Sequence, residues 1–379
     1  MHDRSAPRLG VLDGLRGLAI LMVVWYHLWL VTGYRIPYAS FAQVVVQNGY
    51  LGVDLFFFLS GTCIALPYAR ARLHGTEIPR LADFARNRAL KILPSYFLAL
   101  AIFAFVFHDR FDGPLQEFGH FAAHAAFVHV FSPATFGSFS GPLWTLGVEV
   151  QFYALFALIA PLVVRRPLAV YLAFAAIAIV YRATIAALGF DGDFGWINQL
   201  PAVLDIFGAG VAAAFVFTAL GEHERSPVLA TGAALASAAL ALAGLATALA
   251  VATNGGDEAV HRWLNAWRCA FGPVLFVGTL GVALGSARLR GAASSRPLRF
   301  LSIVSYGAYL FNLEIVVAFA RYGLPGPAVF WLGALGTIVL AALVTYGFER
   351  PIQRRGAAVV AAAYRRVRAL PRRDEPARA

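Results

Sequence analysis

The stretch LDGLRGLAILMVVWYHLWLV, residues 12–31, reads as a membrane span with two polar anomalies, Arg16 near its start and His27 near its end. A helix needs about 20 predominantly apolar residues to cross the hydrocarbon core. A charged side chain at the centre of such a helix costs about 2.5–3.5 kcal/mol on insertion scales. Residues of this kind persist where they do chemistry or hold a bundle together. Arg16 and His27 are eleven positions apart. That is about three turns, so they share one face of the helix and stand about 16–17 Å apart along its axis.

The rest of the chain has the same character. Its 379 residues are 60% hydrophobic and 13% charged, with a mean hydropathy of +0.69. A soluble domain is about 45–50% apolar and about 25% charged. The apolar blocks predict ten spans, at 11–31, 49–69, 92–108, 142–163, 167–188, 199–219, 228–252, 268–286, 300–320 and 327–348. The fold expected is an all-α polytopic membrane helix bundle. The first apolar run has no small-residue cleavage site after it and reads as a span, not a signal peptide. Cys63 and Cys269 lie in apolar runs with no metal-ligand spacing or disulfide framework, so both are expected as small buried side chains.

Basic residues orient the spans. Of the 31 Lys and Arg residues, 24 fall in segments on the side of the N-terminus and five on the other side. This excess is the positive-inside pattern and predicts that both termini are cytoplasmic. The net charge of +11 follows from arginine-rich inner loops facing anionic membrane lipid, and no nucleic acid partner is needed to explain it. Residues 1–351 form the expected membrane domain, and 352–379 a basic, lipid-associated cytoplasmic tail.

Depth then sorts the polar residues. His27, Asp54 in GVDLFFFLSG, Glu149 in GPLWTLGVEVQFY and Asn312 in SYGAYLFNLEIV fall in the outer part of their spans. Arg16, Arg88 and Lys91 gather at the inner face, with Glu349 of FERP nearby. The inner cations suit a phosphorylated ligand. The outer group suits proton transfer, with an imidazole oriented by a carboxylate. Other polar residues invite plainer readings. Arg182 and Asp205, in adjacent spans, read as a structural ion pair. Asp54 also reads as a cap at the start of the second span. Tyr153, Trp144 and the FFF run at 56–58 read as packing residues. His120, His124 and His129 in the loop 109–141 lack a third ligand at helical spacing. No metal is expected there, and these histidines read as interfacial or glycan-contacting. HRWLNAWR, 261–268, reads as an interfacial anchor.

The stretches LDGLRGLAILMVVWYH, GVDLFFFLSG, RALKILPSY, PLWTLGVEVQFY, SYGAYL and FERP, in this order, resemble the serial motifs of the acyltransferase-3 family of integral membrane acyltransferases, the O-antigen acetylase and macrolide acyltransferase type. The resemblance runs over residues 12–351. It implies a roughly ten-helix fold in a bacterial-type inner (plasma) membrane. It also implies acyl transfer from cytoplasmic acyl-CoA, most often acetyl-CoA, to a hydroxyl of an envelope glycan or glycoside. The family's Arg–x10–His pattern falls on Arg16 and His27, with the histidine catalytic, and its WSLxxExxFY pattern on Trp144 to Tyr153, with the acid at Glu149. Its RxxR pattern falls on Arg88 and Lys91, where a point charge replaces the second guanidinium. SYxxYLxH ends here on Asn312 in place of histidine, and Thr62 replaces an aromatic.

The expected mechanism puts the nucleotide end of acyl-CoA at Arg16, Arg88 and Lys91 and the thioester near His27. His27 then serves as general base with Glu149 as its orienting carboxylate, and Asp54, Asn312 and Tyr153 in support. Many family members carry a hydrolase-like domain after the spans. The tail here is too short for one, so the acceptor is expected to engage the membrane domain or a separate partner. A glycan transporter or exporter without acyl transfer is the competing reading, since intramembrane charges also mark transport pathways. A catalytically silent relative is a third. The acceptor, the acyl chain and the oligomeric state stay open at this level.

Overall fold

A computed structural model describes residues 6–33, 46–220 and 227–356. The tail from residue 357 lies outside the described residues. Among them there is no strand, and nine continuous helical segments are long and apolar enough to cross a membrane. One of these, Pro227–Leu284, runs for 58 residues. At 1.5 Å per residue that is about 87 Å, nearly three hydrocarbon cores. It breaks at Gly256, whose φ of 69° lies in the left-handed region. Its two limbs fold back on each other, with Trp263 Nε1 donating to Thr247 Oγ1 at 3.2 Å and Gly281 packed on Ala234. The segment thus supplies two passes, and the ten expected spans are recovered.

The main helices are α1 (Ala6–Thr32), α2 (Gly52–His74), α3 (Leu81–Val106), the non-spanning α4 (Pro114–Ala125), α5 (Trp144–Arg165), α6 (Pro167–Ala187), α7 (Leu200–Leu220), the kinked α8 (Pro227–Leu284), α9 (Arg296–Arg321) and α10 (Gly326–Leu343). A π-helical turn, Val344–Glu349, continues α10.

Between membrane helices the apolar driving force is weak, and close packing of small residues carries association. Two crossings show this. A Cβ on Gly61 of α2 would stand 2.2 Å from Phe207 O of α7, and one on Gly210 would stand 2.0 Å from Phe58 O. Likewise, a Cβ on Gly17 of α1 would stand 2.0 Å from Leu298 O of α9. Around the first crossing Phe207 stacks on Phe152 at 3.9 Å and lies 4.7 Å from Phe57. The second crossing brings α1 and α9 side by side and parallel, with Gly10 against Ser294, Gly17 against Leu298 and His27 against Asn312.

The segment between α4 and α5 departs most from expectation. Val128 and Phe131 are exposed, but His129, Val130, Phe139, Ser140 and Leu143 are buried, as is His124 in the last turn of α4. Gln199 Nε2 donates to Val130 O at 2.8 Å, tying the segment to the start of α7. The stretch before α5 therefore dips into the bundle, and α5 begins at depth. Trp144, its first residue, packs edge-on against the buried Phe57 in the second turn of α2. Glu149 consequently lies deeper than a count from a surface helix start puts it.

Candidate active site

Helices α1, α2, α3, α5 and α9 converge on a cleft enclosing about 680 Å³, part of it open to the exterior. Its polar wall carries Arg16, Arg88, Lys91 and Glu149, and its apolar wall includes Val53, Phe56 and Leu146. Among the described residues none of the three cations forms an ion pair. Arg88 lies over the Tyr153 ring, 5.7 Å from its centroid. Its buried Nε has no hydrogen-bond partner. Three cations against the single carboxylate of Glu149 leave the cleft with an excess of positive charge that suits an anion.

Glu149 is held by two hydroxyls. Ser60 Oγ donates to Glu149 Oε1 at 2.7 Å, and Tyr153 Oη, one turn along α5, donates to the same oxygen. Among the described residues Glu149 Oε2 has no hydrogen-bond partner. Glu149 thus belongs with Arg16, Arg88 and Lys91, not with His27 as expected. The reason is the buried entry to α5, which starts the helix below the surface. Tyr153, read as packing or support, is a direct hydrogen-bond donor to this carboxylate.

His27 sits about three turns along α1 from Arg16. Its partner is Asn312: Nδ1 and Asn312 Oδ1 are 2.5 Å apart. Asn312 is fully buried, and its Nδ2 donates to Ala308 O and Tyr309 O, both at 2.9 Å. Those two carbonyls can only accept, so the amide nitrogen must face them and Oδ1 must face the imidazole. His27 Nδ1 therefore carries the proton, and in the neutral ring Nε2 holds the free lone pair. The orienting group at His27 is the Asn312 amide in place of the expected Glu149 carboxylate.

Tyr309 links the two halves. Its ring lines the cleft, and its hydroxyl accepts from Thr145 Oγ1 at 2.7 Å and donates to Pro142 O at 3.1 Å. Its backbone carbonyl is one of the two acceptors that fix Asn312. The end of the cleft at Tyr309 is thus one helical turn from the partner of His27. Ser60, Thr145, Tyr306 and Tyr309 were not singled out from sequence. They lie inside or beside the quoted stretches GVDLFFFLSG, PLWTLGVEVQFY and SYGAYL, which was the available signal.

Asp54 is not brought to the cleft. It is buried in an ion pair with Arg268, Nε to Oδ1 3.1 Å, and Arg268 also donates to Ile197 O at 2.5 Å and Asn198 Oδ1 at 2.9 Å. This corrects two readings. Asp54 neither caps the second span nor supports the candidate site, and Arg268 of HRWLNAWR is buried instead of interfacial. Both follow from α8 turning its polar residues inward against α2. Arg182 and Asp205 form the expected structural pair at 2.5 Å, with Arg182 also donating to Ala202 O.

Of the three loop histidines, His124 and His129 are core, not interfacial, whereas His120 is half-buried. His124 and His129 stack with ring centroids 3.9 Å apart, and their Nε2 atoms lie 3.1 Å from Thr135 O and 3.2 Å from Leu143 O. Burial pushes their imidazole pKa values down, to about 3 for His124 and about 4 for His129. Among the described residues no group of three or more His, Cys, Asp or Glu side chains is assembled as a metal site. Cys63 is half-buried, whereas Cys269 is exposed on the outside of the bundle.

With this geometry in hand, similarity to known proteins decides the family. The profile of an acyltransferase domain, that of the acyltransferase-3 family, matches residues 9–347. The chain belongs to the acyltransferase-3 family. Among its acyltransferase-3 relatives is Bacillus subtilis YrhL, assigned by name to peptidoglycan O-acetylation. It is 26% identical over 394 aligned residues, covering 94% of this chain and 56% of the relative. The Listeria monocytogenes peptidoglycan O-acetyltransferase OatA is 25% identical, covering 91% of this chain and 56% of that one. The Staphylococcus aureus O-acetyltransferase OatA is 23% identical, covering 94% and 59%. The chain therefore spans somewhat under three fifths of the length of these curated relatives. No solved structure matches.

Proposed function

We propose that this multi-pass membrane protein is an O-acyltransferase that moves an acyl group, acetyl in the first instance, from acyl-CoA to a hydroxyl of an envelope carbohydrate or glycoside. The observation that carries the reading is that one face of α1 turns Arg16 to a cleft with unpaired cations and His27 to a partner that frees Nε2. The excess of basic residues over all the segments on the side where α1 starts supports a cytoplasmic position for that end, in a bacterial-type inner membrane.

In this reading Arg16, Arg88 and Lys91 bind the phosphates of acyl-CoA, two as guanidiniums and one as a point charge. The pantetheine arm runs along α1, over a distance comparable with the separation of Arg16 and His27. Glu149 Oε2 accepts a hydrogen bond from a hydroxyl or amide N–H of that arm. At the far end the acceptor hydroxyl gives its proton to His27 Nε2 as its oxygen bonds to the thioester carbon. Asn312 holds the ring while it is cationic. The C–S bond then breaks, and the proton passes from the imidazolium to the leaving CoA thiolate. The names of the relatives make peptidoglycan the first acceptor to examine.

The test is mass spectrometry of envelope glycans from cells with and without the protein. A mass increment of one acetyl group, removed by mild base, is the expected result. Unchanged glycan masses together with altered glycan export would favour a transporter.

A further inference from the structure

A second cleft lies away from the first, between the ends of α3 and α9 remote from the cation cluster, and it encloses about 830 Å³ including its open mouth. Its floor is apolar: Phe103 and Phe311 meet edge-on at 5.6 Å, with Leu340 of α10 beside them. Its flanks, Ile102 and Val106, are exposed on the outer surface of the bundle. The slot therefore opens sideways, where the hydrocarbon of the membrane lies. An apolar slot of this size in a bilayer takes up an apolar chain, because neither vacuum nor water fills it at comparable cost.

The charge at its end says which head group the chain carries. Arg110 and Arg321 both lie over the ring of Phe107, at 3.7 and 5.8 Å from its centroid. Arg110 is committed within the protein: it pairs with Glu314 at 3.5 Å and donates to Phe139 O at 3.0 Å. Arg321 is exposed and has no carboxylate partner among the described residues. Two guanidiniums and one carboxylate leave a single uncompensated positive charge. That balance matches one phosphodiester and falls short of a diphosphate.

We propose that this cleft is a binding site for an anionic phospholipid, one acyl chain lying along Phe103 and Phe311 and the phosphodiester on Arg321. The site is independent of the acyl-transfer reading and uses none of its residues.

The test is retention of lipid through delipidation, read by native mass spectrometry of the purified full chain. The probes are phosphatidylglycerol and phosphatidylcholine carrying the same palmitoyl and oleoyl chains. The wild type is expected to retain phosphatidylglycerol several-fold better. Arg321→Gln is expected to lower its retention to the level of phosphatidylcholine. Ala318→Trp, which fills the slot from an exposed position while keeping Arg321, is expected to reduce retention of both lipids. If Arg321→Gln does not fold, Ala318→Trp and the comparison of the two lipids carry the test. Equal retention of the two lipids by the wild type, or unchanged retention in Ala318→Trp, overturns the proposal. Displacement of phosphatidylglycerol by an equimolar polyprenyl phosphate overturns the assignment to phospholipid.

Discussion

Asn312 Oδ1 accepts the Nδ1–H of His27 at 2.5 Å, and the two carbonyls that hold the Asn312 amide leave it no other orientation. A residue that departs from the motif it resembles thus does the work of fixing a tautomer. An amide cannot take the proton onward, so Nε2 is the only titrating position of the ring that faces away from Asn312.

Removing either partner is expected to act on turnover more than on donor binding. His27→Ala should lower turnover by about 10²–10⁴-fold, the usual contribution of a general base. Asn312→Leu should cost about 10–100-fold, equivalent to about 1–3 kcal/mol for a buried hydrogen bond left unmade. Steady-state kinetics with acetyl-CoA measures both. An Asn312→Leu enzyme with wild-type turnover would show that the tautomer lock is irrelevant to the chemistry.

The unpaired cations should report on donor affinity. A hydrogen bond to a charged group contributes about 1.5–3 kcal/mol, so Arg16→Gln and Arg88→Gln are each expected to weaken coenzyme A binding by roughly 10–150-fold. Lys91→Arg restores a planar, bidentate donor and should bind coenzyme A at least as tightly as the wild type. Calorimetry on detergent-solubilised protein is the measurement, and unchanged affinity in both glutamine variants would remove the phosphate assignment.

Asp54 and Arg268 should matter for stability and not for donor binding. Deleting one partner of a buried pair typically costs about 3–5 kcal/mol, because the other charge is left uncompensated. Asp54→Ala is accordingly expected to lower the thermal midpoint strongly, while the folded fraction still binds coenzyme A. Selective loss of binding at an unchanged midpoint would return Asp54 to the functional site.

Acid should destabilise the fold through the loop histidines. His124 and His129 are held neutral, with pKa values lowered to about 3 and about 4, against about 6.5 for an unperturbed imidazole. Between about pH 6.5 and 4 the unfolded chain therefore binds more protons than the folded one, and stability falls as the pH falls. Thermal midpoints in detergent between pH 7 and 4.5 should decline, on the order of 2–3 kcal/mol per imidazole by pH 4.5. His129→Phe should flatten that decline, and an identical slope in the variant would assign the acid sensitivity elsewhere.

The spans were legible because a 20-residue apolar block has few alternatives in water, and the two passes of the long α8 segment were already separate as the apolar blocks 228–252 and 268–286. The stripe on α1 was legible because helical geometry fixes the angle between residues eleven apart. Depth elsewhere was not. Counting inward from an apparent helix start gave Glu149 the level of His27, since nothing local to GPLWTLGVEV shows that the preceding loop is buried. The partner of Arg268 was hidden for a related reason: an arginine beside tryptophans looks the same from sequence whether it faces headgroups or a carboxylate on another helix. Asn312 was visible as a departure from a pattern, but its role needed the two backbone carbonyls that set its amide.

The account stands most directly on transfer of isotope-labelled acetyl from acetyl-CoA by the protein in proteoliposomes supplied with peptidoglycan fragments. It predicts base-labile label on the carbohydrate with the wild type, and none above background with His27→Ala, although that variant still binds coenzyme A. Labelling by His27→Ala at the wild-type rate would contradict it.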